Sequence, residues 1–386
     1  MNFDAVDVAR LGELLGKKWC AYPANVLPAW VADMDFPVAD PIRRFLGGVA
    51  ERGEIGYPLD PDMDPLPAVF AARQAERFGW QVDPALIEII GDVNQGMFIV
   101  ADQFAASDEG IAIFTPIYPP FLDAVRLTGR RLVDCPLVRG AERYEIDFDQ
   151  FEAAVDRSTR VLFLCNPHNP SGRVLEQDEL ERIAEVALRR NLVVVADEIH
   201  ADLVFDGRRH IPFATLSPEV EARTITMTSA TKAFNTAGLR CAIAAFGADT
   251  LRERFNRIPR RLRGGLGALV TTVTRIAWQE CDDWLRDVLA YLESNRGLLT
   301  KFAAESLPGM RYFPPEATYL AWFDCSELGL AVEPRDFFLE HARVALSPGI
   351  EFGANGRDCV RLNFATSHAI LTEILERMAD ALRRHG

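Results

Sequence analysis

The sequence predicts an α/β fold built on a mixed, mostly parallel sheet. Two apolar runs, at 161–165 and 191–197, are typical of buried strands, and residues 175–190 between them have helical patterning. A strand–helix–strand unit implies parallel neighbouring strands joined by a right-handed crossover. Because 386 residues exceed what one hydrophobic core usually holds, we expect two domains.

Composition excludes several classes of protein. The chain is 49% hydrophobic and 25% charged, which is ordinary for a globular protein, and its formal net charge of −14 argues against a nucleic-acid or anionic-membrane partner. No run of 18 apolar residues appears, and the N-terminus lacks signal-peptide features, so we expect a cytoplasmic protein without a membrane span. The seven cysteines have no paired spacing and the six histidines form no ligand cluster, so we expect reduced thiols and no metal.

The N-terminal part of the chain is predicted to be mainly helical. Up to about residue 22, helical patterning alternates with loops, and residues 27–37 contain acids between bulky apolar residues, as in a turn. The following elements are helix 41–52, loop 53–58, helix 65–78, strand 87–90 and an amphipathic helix from the turn 91–96 through Phe104. A strand–turn–helix start of this kind binds anions readily, because free N–H groups and the helix dipole both favour negative charge.

The rest of the chain alternates strands and helices before a smaller antiparallel unit. The predicted elements are a strand from 110 ending in an aromatic turn at 118–121, strand 130–137, a helix from 149, strands in 161–172, 191–200 and 224–228, strand 241–246, helix 250–263, a break at 264–267, a long helical region to 303, and strands within 311–323 and 344–364. The basic helix 250–263 is interpreted as a solvated face or a subunit contact.

Three stretches place polar residues at one edge of the predicted sheet. Asn169 follows one buried strand, Asp197 ends the next, and Lys232 lies on a small-residue turn after a third. A lysine on a tight turn can form a Schiff base with an aldehyde cofactor, and Ser229 and Arg240 flank it at spacings suited to a phosphate.

Each of these residues alone has a simpler interpretation. Lys232 could be a solvated loop lysine, or the lysine of a β-lactamase-type Ser-x-x-Lys site, although the chain has no Ser-Asp-Asn or Lys-Thr-Gly partner. Asp197 could cap a helix, and Asn-Pro at 169–170 could be only a turn. The combination of the motifs in this order is what makes a shared site the stronger interpretation.

Together these motifs resemble the fold-type I enzymes that use pyridoxal 5′-phosphate (PLP), the class I/II aminotransferase superfamily. The resemblance implies that Asn169 bonds the phenolic oxygen of the cofactor and that Asp197 pairs with its pyridine nitrogen. It also implies that Lys232 forms the covalent link and that Arg240, with Ser229 nearby, binds the phosphate. A carboxylate beside the ring nitrogen keeps that nitrogen protonated, which strengthens the ring as an electron sink.

The same resemblance implies the domain organisation. A large PLP-binding domain is expected at 47–280, and a smaller α+β domain is expected to be formed by both termini, 1–46 and 281–386. The resemblance extends over nearly the whole chain.

Further stretches resemble one branch of this superfamily, the MalY/PatB-like cystathionine β-lyases (C–S lyases). They are Trp-Val-Ala-Asp-Met-Asp-Phe at 30–36, Tyr-Pro-Pro-Phe at 118–121, His168 and His200. By this resemblance the backbone near Ala32 meets the substrate carboxylate, Tyr118 stacks on the pyridine ring and assists proton transfer, and His200 lies near the phenolic oxygen. Without that context, His200 is a surface group.

Two more roles follow from the resemblance. Arg361, in an apolar strand, is expected to bind the substrate carboxylate, with a structural ion pair as the alternative. Tyr57 is expected to reach the cofactor phosphate of the other subunit of a homodimer, with an aromatic packed on its own loop as the alternative.

The turn before the 93–104 helix departs from the pattern of the lyase branch. The backbone groups of Val93, Asn94 and Gln95 are expected to hold the phosphate, but Asp92 places an acid close to it. This departure leaves the substrate class open.

The function implied is β-elimination from a small amino acid with a β-sulfur substituent, giving pyruvate, ammonia and a thiol. The first alternative is an aminotransferase, which uses the same residues in its early steps. The second is another PLP reaction in a biosynthetic pathway. A non-enzymatic PLP-binding regulator is disfavoured because Lys232 is present and because little chain precedes Trp30 for a DNA-binding domain.

Overall fold

The computed structural model describes residues 2–6, 8–13 and 16–385. The strands are β1 Leu27–Pro28, β2 Ile87–Ile90, β3 Gly110–Thr115, β4 Arg131–Arg139, β5 Tyr144–Ile146, β6 Thr159–Cys165, β7 Val193–Asp197, β8 Thr224–Thr228, β9 Ala242–Phe246, β10 Arg311–Tyr312, β11 Leu320–Asp324, β12 Val344–Ala345, β13 Ser347–Pro348 and β14 Cys359–Asn363. The α-helices are α1 Val8–Gly12, α2 Lys17–Cys20, α3 Asp40–Arg52, α4 Leu66–Phe78, α5 Val93–Phe104, α6 Pro119–Leu127, α7 Phe148–Ala154, α8 Gln177–Arg190, α9 Pro218–Glu221, α10 Asp249–Phe255, α11 Ala268–Glu280, α12 Asp282–Ser306, α13 Pro334–Phe337 and α14 His368–His385.

The large sheet has eight strands in the order β2-β9-β8-β7-β6-β3-β4-β5. Its central strands run parallel, from β8 through β7, β6 and β3 to β4, whereas β9 is antiparallel to both of its neighbours and β5 is antiparallel to β4. The predicted mixed, mostly parallel sheet is therefore confirmed. Because the central strands are parallel, their carboxyl ends lie at one edge of the sheet.

Helices cover both faces of this sheet, which explains its continuous apolar strands. On one face, Val100 of α5 and Phe121 of α6 pack with Ile225 of β8 in one buried cluster. On the other face, Phe151 of α7 and Ile183 of α8 pack with Val194 of β7 in another. The helices on the two faces hold the sheet in place. They therefore also hold the loops that follow the carboxyl ends of its parallel strands.

The helix α8 shows why the β6–α8–β7 unit forms where the sequence predicts it. Glu176 and Glu179 make a capping box at its start, and Asn191 ends it in the left-handed conformation with φ of 57°. Its apolar stripe faces the sheet. The local signals and the tertiary packing therefore agree in this unit.

The smaller sheet is antiparallel, in the order β10-β11-β14-β13. Arg361 in β14 lies between Trp322 of β11 and Ser347 of β13 in the register of this sheet. The N-terminal strand β1 pairs in parallel with β12, so the N-terminal segment is joined to the C-terminal part of the chain. The domain boundaries at 47–280, 1–46 and 281–386 stay a prediction.

The basic segment 250–263 is not one helix. The helix α10 ends at Phe255, and a separate 3-10 turn, Arg260–Leu262, follows Pro259. Proline disfavours helical backbone in the residue before it, which explains the interruption. None of the helices in the described part of the chain combines the length and apolar character of a membrane span.

Candidate active site

The carboxyl ends of β6, β7 and β8 bring three predicted residues to one cavity. Cys165, at the end of β6, is in register with Asp197, which in turn is in register with Met227 of β8. A cavity of about 430 Å³ lies beyond this edge. It is lined by Lys17, Ala32, Asp92, Val93, Asn94, Tyr118, Cys165, Asn169, Asp197, Ile199, His200, Ser229, Thr231, Lys232, Ala237, Arg240 and Cys241.

Asp197 is buried at the end of its strand and accepts a hydrogen bond from the Ile199 amide at 3.1 Å. Burial raises the pKa of its carboxyl from 3.8 to about 7, although the Ile199 amide and the nearby Lys232 act in the opposite direction. A cationic N–H donor placed beside this carboxyl would stabilise its ionised form.

Lys232 is half-buried, and its amine donates to the Ala32 carbonyl at 2.9 Å. Loss of hydration lowers the pKa of this amine, against the effect of the Asp33 carboxylate. The turn that carries it is braced by Ser229, whose hydroxyl accepts from the Thr231 amide at 3.1 Å and donates to the Cys241 carbonyl at 2.5 Å. The site therefore holds an amine that loses its proton more readily than a free lysine does.

The segment 30–36 is fastened over the cavity through its backbone carbonyls. Asn363 donates to the carbonyls of Val31 at 2.6 Å and Asp33 at 2.7 Å. The Ala32 carbonyl between them accepts from Lys232 and from the Tyr319 hydroxyl, at 3.0 Å for the latter. The backbone at Ala32 is therefore fixed beside the lysine.

Arg361 is buried in β14 next to this segment. Its Nη1 donates to Asn169 Oδ1 at 2.9 Å, and its Nη2 donates to the Trp30 carbonyl at 3.0 Å and to Ser347 Oγ at 3.1 Å. Burial lowers the pKa of the guanidinium to about 10, so the group stays charged at neutral pH. Its Nε is buried and has no hydrogen-bond partner within the described part of the chain, and Arg361 is not among the residues that line the cavity.

Tyr118 and His200 also lie at the cavity. Burial raises the pKa of the Tyr118 phenol, against the effect of the Arg361 charge. His200 is buried, and this burial, reinforced by the charges of Lys232 and Arg361, lowers its pKa to about 3. Its imidazole is therefore neutral, and its Nδ1 has no partner among the residues described. His168 lies in a neighbouring small cavity, with Nδ1 2.8 Å from Ser171 Oγ.

The predicted phosphate-binding residues are brought together only in part. Val93, Asn94, Ser229 and Arg240 line the cavity. Gln95 does not, because its amide donates to Asp92 Oδ1 at 2.7 Å and its side chain is turned towards the Arg263 carbonyl.

Tyr57 lies outside the cavity. It is 101% exposed and lines a separate groove of about 370 Å³, together with Gln95 and Arg263. Within this chain, Tyr57 therefore shares a groove with Gln95 but does not line the cavity that holds Asn169, Asp197 and Lys232.

Sequence reasoning missed further residues at the site, among them Ile199, Ala237 and Cys241. Lys17, Cys165 and Thr231 line the cavity, and the Tyr319 hydroxyl holds the Ala32 carbonyl. Lys17 Nζ lies 5.0 Å from the centre of the Trp30 ring. Cys165 and Thr231 could have been found from their places beside the motifs, but no local signal marks Lys17 or Tyr319. No group of three His, Cys, Asp or Glu side chains that could hold a metal ion occurs in the described ranges.

Replacing Asp197 with asparagine is expected to stabilise the cofactor-free protein more at pH 8 than at pH 5. Burial raises the pKa of this carboxyl to about 7, so its favourable contribution, present at low pH, is lost as pH rises through that value. Asparagine stays neutral, so its advantage over wild type should grow by up to about 3 kcal/mol between the two pH values. Urea unfolding of both proteins at pH 5 and pH 8 measures this difference in stability. An equal gain at the two pH values would contradict a raised pKa of the Asp197 carboxyl.

The comparisons with known proteins agree with this geometry. The sequence model of "Aminotransferase class I and II" matches residues 69–378. A putative cystathionine beta-lyase of Mycobacterium tuberculosis (strain ATCC 25618 / H37Rv) is 38% identical, over 95% of this chain and 94% of the relative. Cystathionine beta-lyase PatB of Bacillus subtilis (strain 168) is 33% identical, over 99% of this chain and 100% of the relative.

A solved structure is similar over almost its whole length. The structure of a putative PLP-dependent β-cystathionase from Corynebacterium diphtheriae has a TM-score of 0.92 and 33% sequence identity, covering 98% of this chain and 99% of that one. The family match spans most of the sequence, and the relatives align over nearly the whole chain. This chain belongs to the class I and II aminotransferase family.

Proposed function

We propose that this chain is a PLP-dependent carbon–sulfur β-lyase acting on a small amino acid with a β-sulfur substituent, such as cystathionine. The substrate and water give pyruvate, ammonia and a thiol. The observation that carries the proposal is the half-buried Lys232 amine, held by Ala32 at the same cavity as the buried Asp197. Two relatives that align over nearly the whole chain and are named as cystathionine beta-lyases support the same activity.

The donor set of the cavity fits PLP. Asp197 offers a buried carboxyl to a pyridine nitrogen, and Lys232 offers an amine to an aldehyde. Arg240 and the first turn of α5 are the groups suited to a phosphate. When bound, PLP would supply an aldehyde that links to the substrate amino group and a ring that can accept electrons from the α-carbon. Asn169 and His200 are proposed to contact the polar ring substituent, and Tyr118 is proposed to stack on the ring.

The chain's own residues divide the remaining work. Arg361 holds the substrate α-carboxylate through its charged, buried guanidinium. Lys232, whose pKa is lowered by burial, is neutral more often than a free lysine and takes the α-proton. The Ala32 carbonyl keeps that amine in place before the substrate arrives. Loss of the α-proton then lets the β-thiolate leave.

The test compares two reactions of the holoenzyme. It is incubated with cystathionine, and separately with an amino donor and a keto acid. Pyruvate and a free thiol are expected in the first, with little amino-group exchange in the second. Exchange without pyruvate would identify an aminotransferase, and inactivity in both would favour another PLP reaction.

We also propose that two copies form a homodimer in which Tyr57 completes the partner's phosphate site. The loop around Tyr57 is the support, because Ile55, Leu59 and Met63 are exposed apolar residues beside it. No nucleic-acid or membrane partner is proposed. A cytoplasmic location stays a prediction.

Mixing two inactive variants is expected to restore activity if Tyr57 acts across the interface. Lys232→Ala removes the reactive amine, and Tyr57→Asp removes the ring and adds a charge that repels phosphate. After subunit exchange, a mixed dimer has one site with both residues intact, giving up to about half of wild-type activity per mixed dimer. Size-exclusion chromatography with light scattering and a tagged partner shows whether exchange occurred. No recovery despite exchange would place Tyr57 outside the partner's site.

A further inference from the structure

The carboxylate of Asp92 lies where positive groups of the cavity converge. Its Oδ1 accepts the Gln95 amide at the start of α5 at 2.7 Å, and its Oδ2 pairs with Arg240. The helix α5 has twelve residues, so the first-turn amides and the helix dipole favour an anion at this end. A side chain of this protein therefore already supplies a negative charge there.

The charges that line the cavity determine how strongly Asp92 can affect the binding of an anion. The charged side chains that line it in the described structure are Lys17, Asp92, Asp197, Lys232 and Arg240. Of the cations, Arg240 is the one that contacts the start of α5 through Asp92. A phosphate dianion bound at this end meets an arginine whose charge is already balanced and a carboxylate that repels it.

We propose that Asp92 weakens the hold on the cofactor phosphate, so that the cofactor remains exchangeable. This inference rests on the proposed PLP dependence. Asp92 also orients Arg240, which favours phosphate binding, but Arg240 is 71% exposed and an exposed ion pair stabilises little. Removal of a full negative charge beside a dianion is the larger effect.

The substitution Asp92→Asn removes the negative charge of Asp92 while it preserves the role of this residue as a helix N-cap. Asparagine is as good an N-cap as aspartate, so it can still accept the Gln95 amide. Asp147→Asn is a matched control, because Asp147 caps α7 by accepting the amide of Gln150, also three residues on, at 3.0 Å, and does not line the cavity. Any effect of replacing a capping aspartate as such should appear in both variants.

The dissociation constant of the cofactor-free protein for PLP is measured by absorbance and fluorescence titration. Asp92→Asn is expected to bind PLP about tenfold more tightly than wild type, and Asp147→Asn to bind as wild type does. Pyridoxal, which lacks the phosphate, is expected to bind both variants and wild type alike. A general change in the pocket would alter the binding of both compounds.

Unchanged or weaker PLP binding by Asp92→Asn overturns the proposal, and so does an equal gain for pyridoxal and PLP. Thermal unfolding of the cofactor-free protein checks that the variant folds, and Asp92→Ser supplies a second uncharged cap. If neither variant folds, Asp92 is a structural cap and the proposal is wrong. Failure of wild type to bind PLP refutes the proposed function, whereas normal cystathionine cleavage with unchanged PLP affinity in Asp92→Asn refutes only this inference.

Discussion

Lys232→Ala is expected to lower kcat for cystathionine cleavage by about 10³- to 10⁵-fold, because one change removes both the covalent anchor and the proposed base. The variant should still bind PLP, since Asp197, Arg240 and the start of α5 remain at the cavity. Wild type is expected to be yellow, with a visible absorption band that Lys232→Ala changes. Coupled detection of pyruvate measures kcat, and absorbance titration measures cofactor binding.

Borohydride reduction locates the anchoring amine directly. The sequence has only Lys17, Lys18 and Lys301 as further lysines, so peptide mapping has few alternatives. Lys301→Ala is the matched control, because this exposed side chain does not line the cavity and its loss should leave both kcat and the label unchanged. Cofactor attached to Lys17, which lines the same cavity, would contradict the assignment of Lys232 as the anchoring residue.

Arg361→Ala is expected to reduce kcat/KM by about 30- to 1,000-fold, mainly through KM. Loss of a desolvated contact between guanidinium and carboxylate costs about 2–4 kcal/mol. The change also leaves Asn169 Oδ1 without this donor, and the Trp30 carbonyl keeps only the Ser347 hydroxyl as a donor, so part of the loss is structural. Steady-state kinetics with a series of substrate concentrations separates the effect on KM from the effect on kcat.

Two controls isolate the carboxylate contact of Arg361. Ser347→Ala removes one hydrogen bond of Arg361 but leaves its charge, so a small effect is expected. Arg361→Lys keeps a charge without the planar pair of donors, so recovery should be incomplete. Amines that lack the α-carboxylate should be poor substrates of wild type, and Arg361→Ala should not impair them further. If wild type cleaves such amines as fast as amino acids, Arg361 has another role.

The N-terminal segment and the start of α5 illustrate the limit of sequence reasoning. The Trp-Val-Ala-Asp-Met-Asp-Phe motif marks residues 30–36 as special, but it does not say what holds them. Lys232 reaches Ala32 across 200 positions of sequence, and Tyr319 reaches it across 287. Likewise, the acid at Asp92 was visible in the sequence, whereas its pairing with Arg240, 148 positions away, was not.

The sequence by itself determined the α/β class and the gathering of Asn169, Asp197 and Lys232. Apolar runs and caps are local signals, and parallel pairing then brings the carboxyl ends of successive strands to one edge. Only the tertiary structure decided that Gln95 turns away from the cavity, that Tyr57 stands exposed, and that the Ala32 carbonyl holds the lysine amine. Periodicity encodes which face of an element is buried, whereas contacts between distant side chains and carbonyls depend on how the finished layers pack.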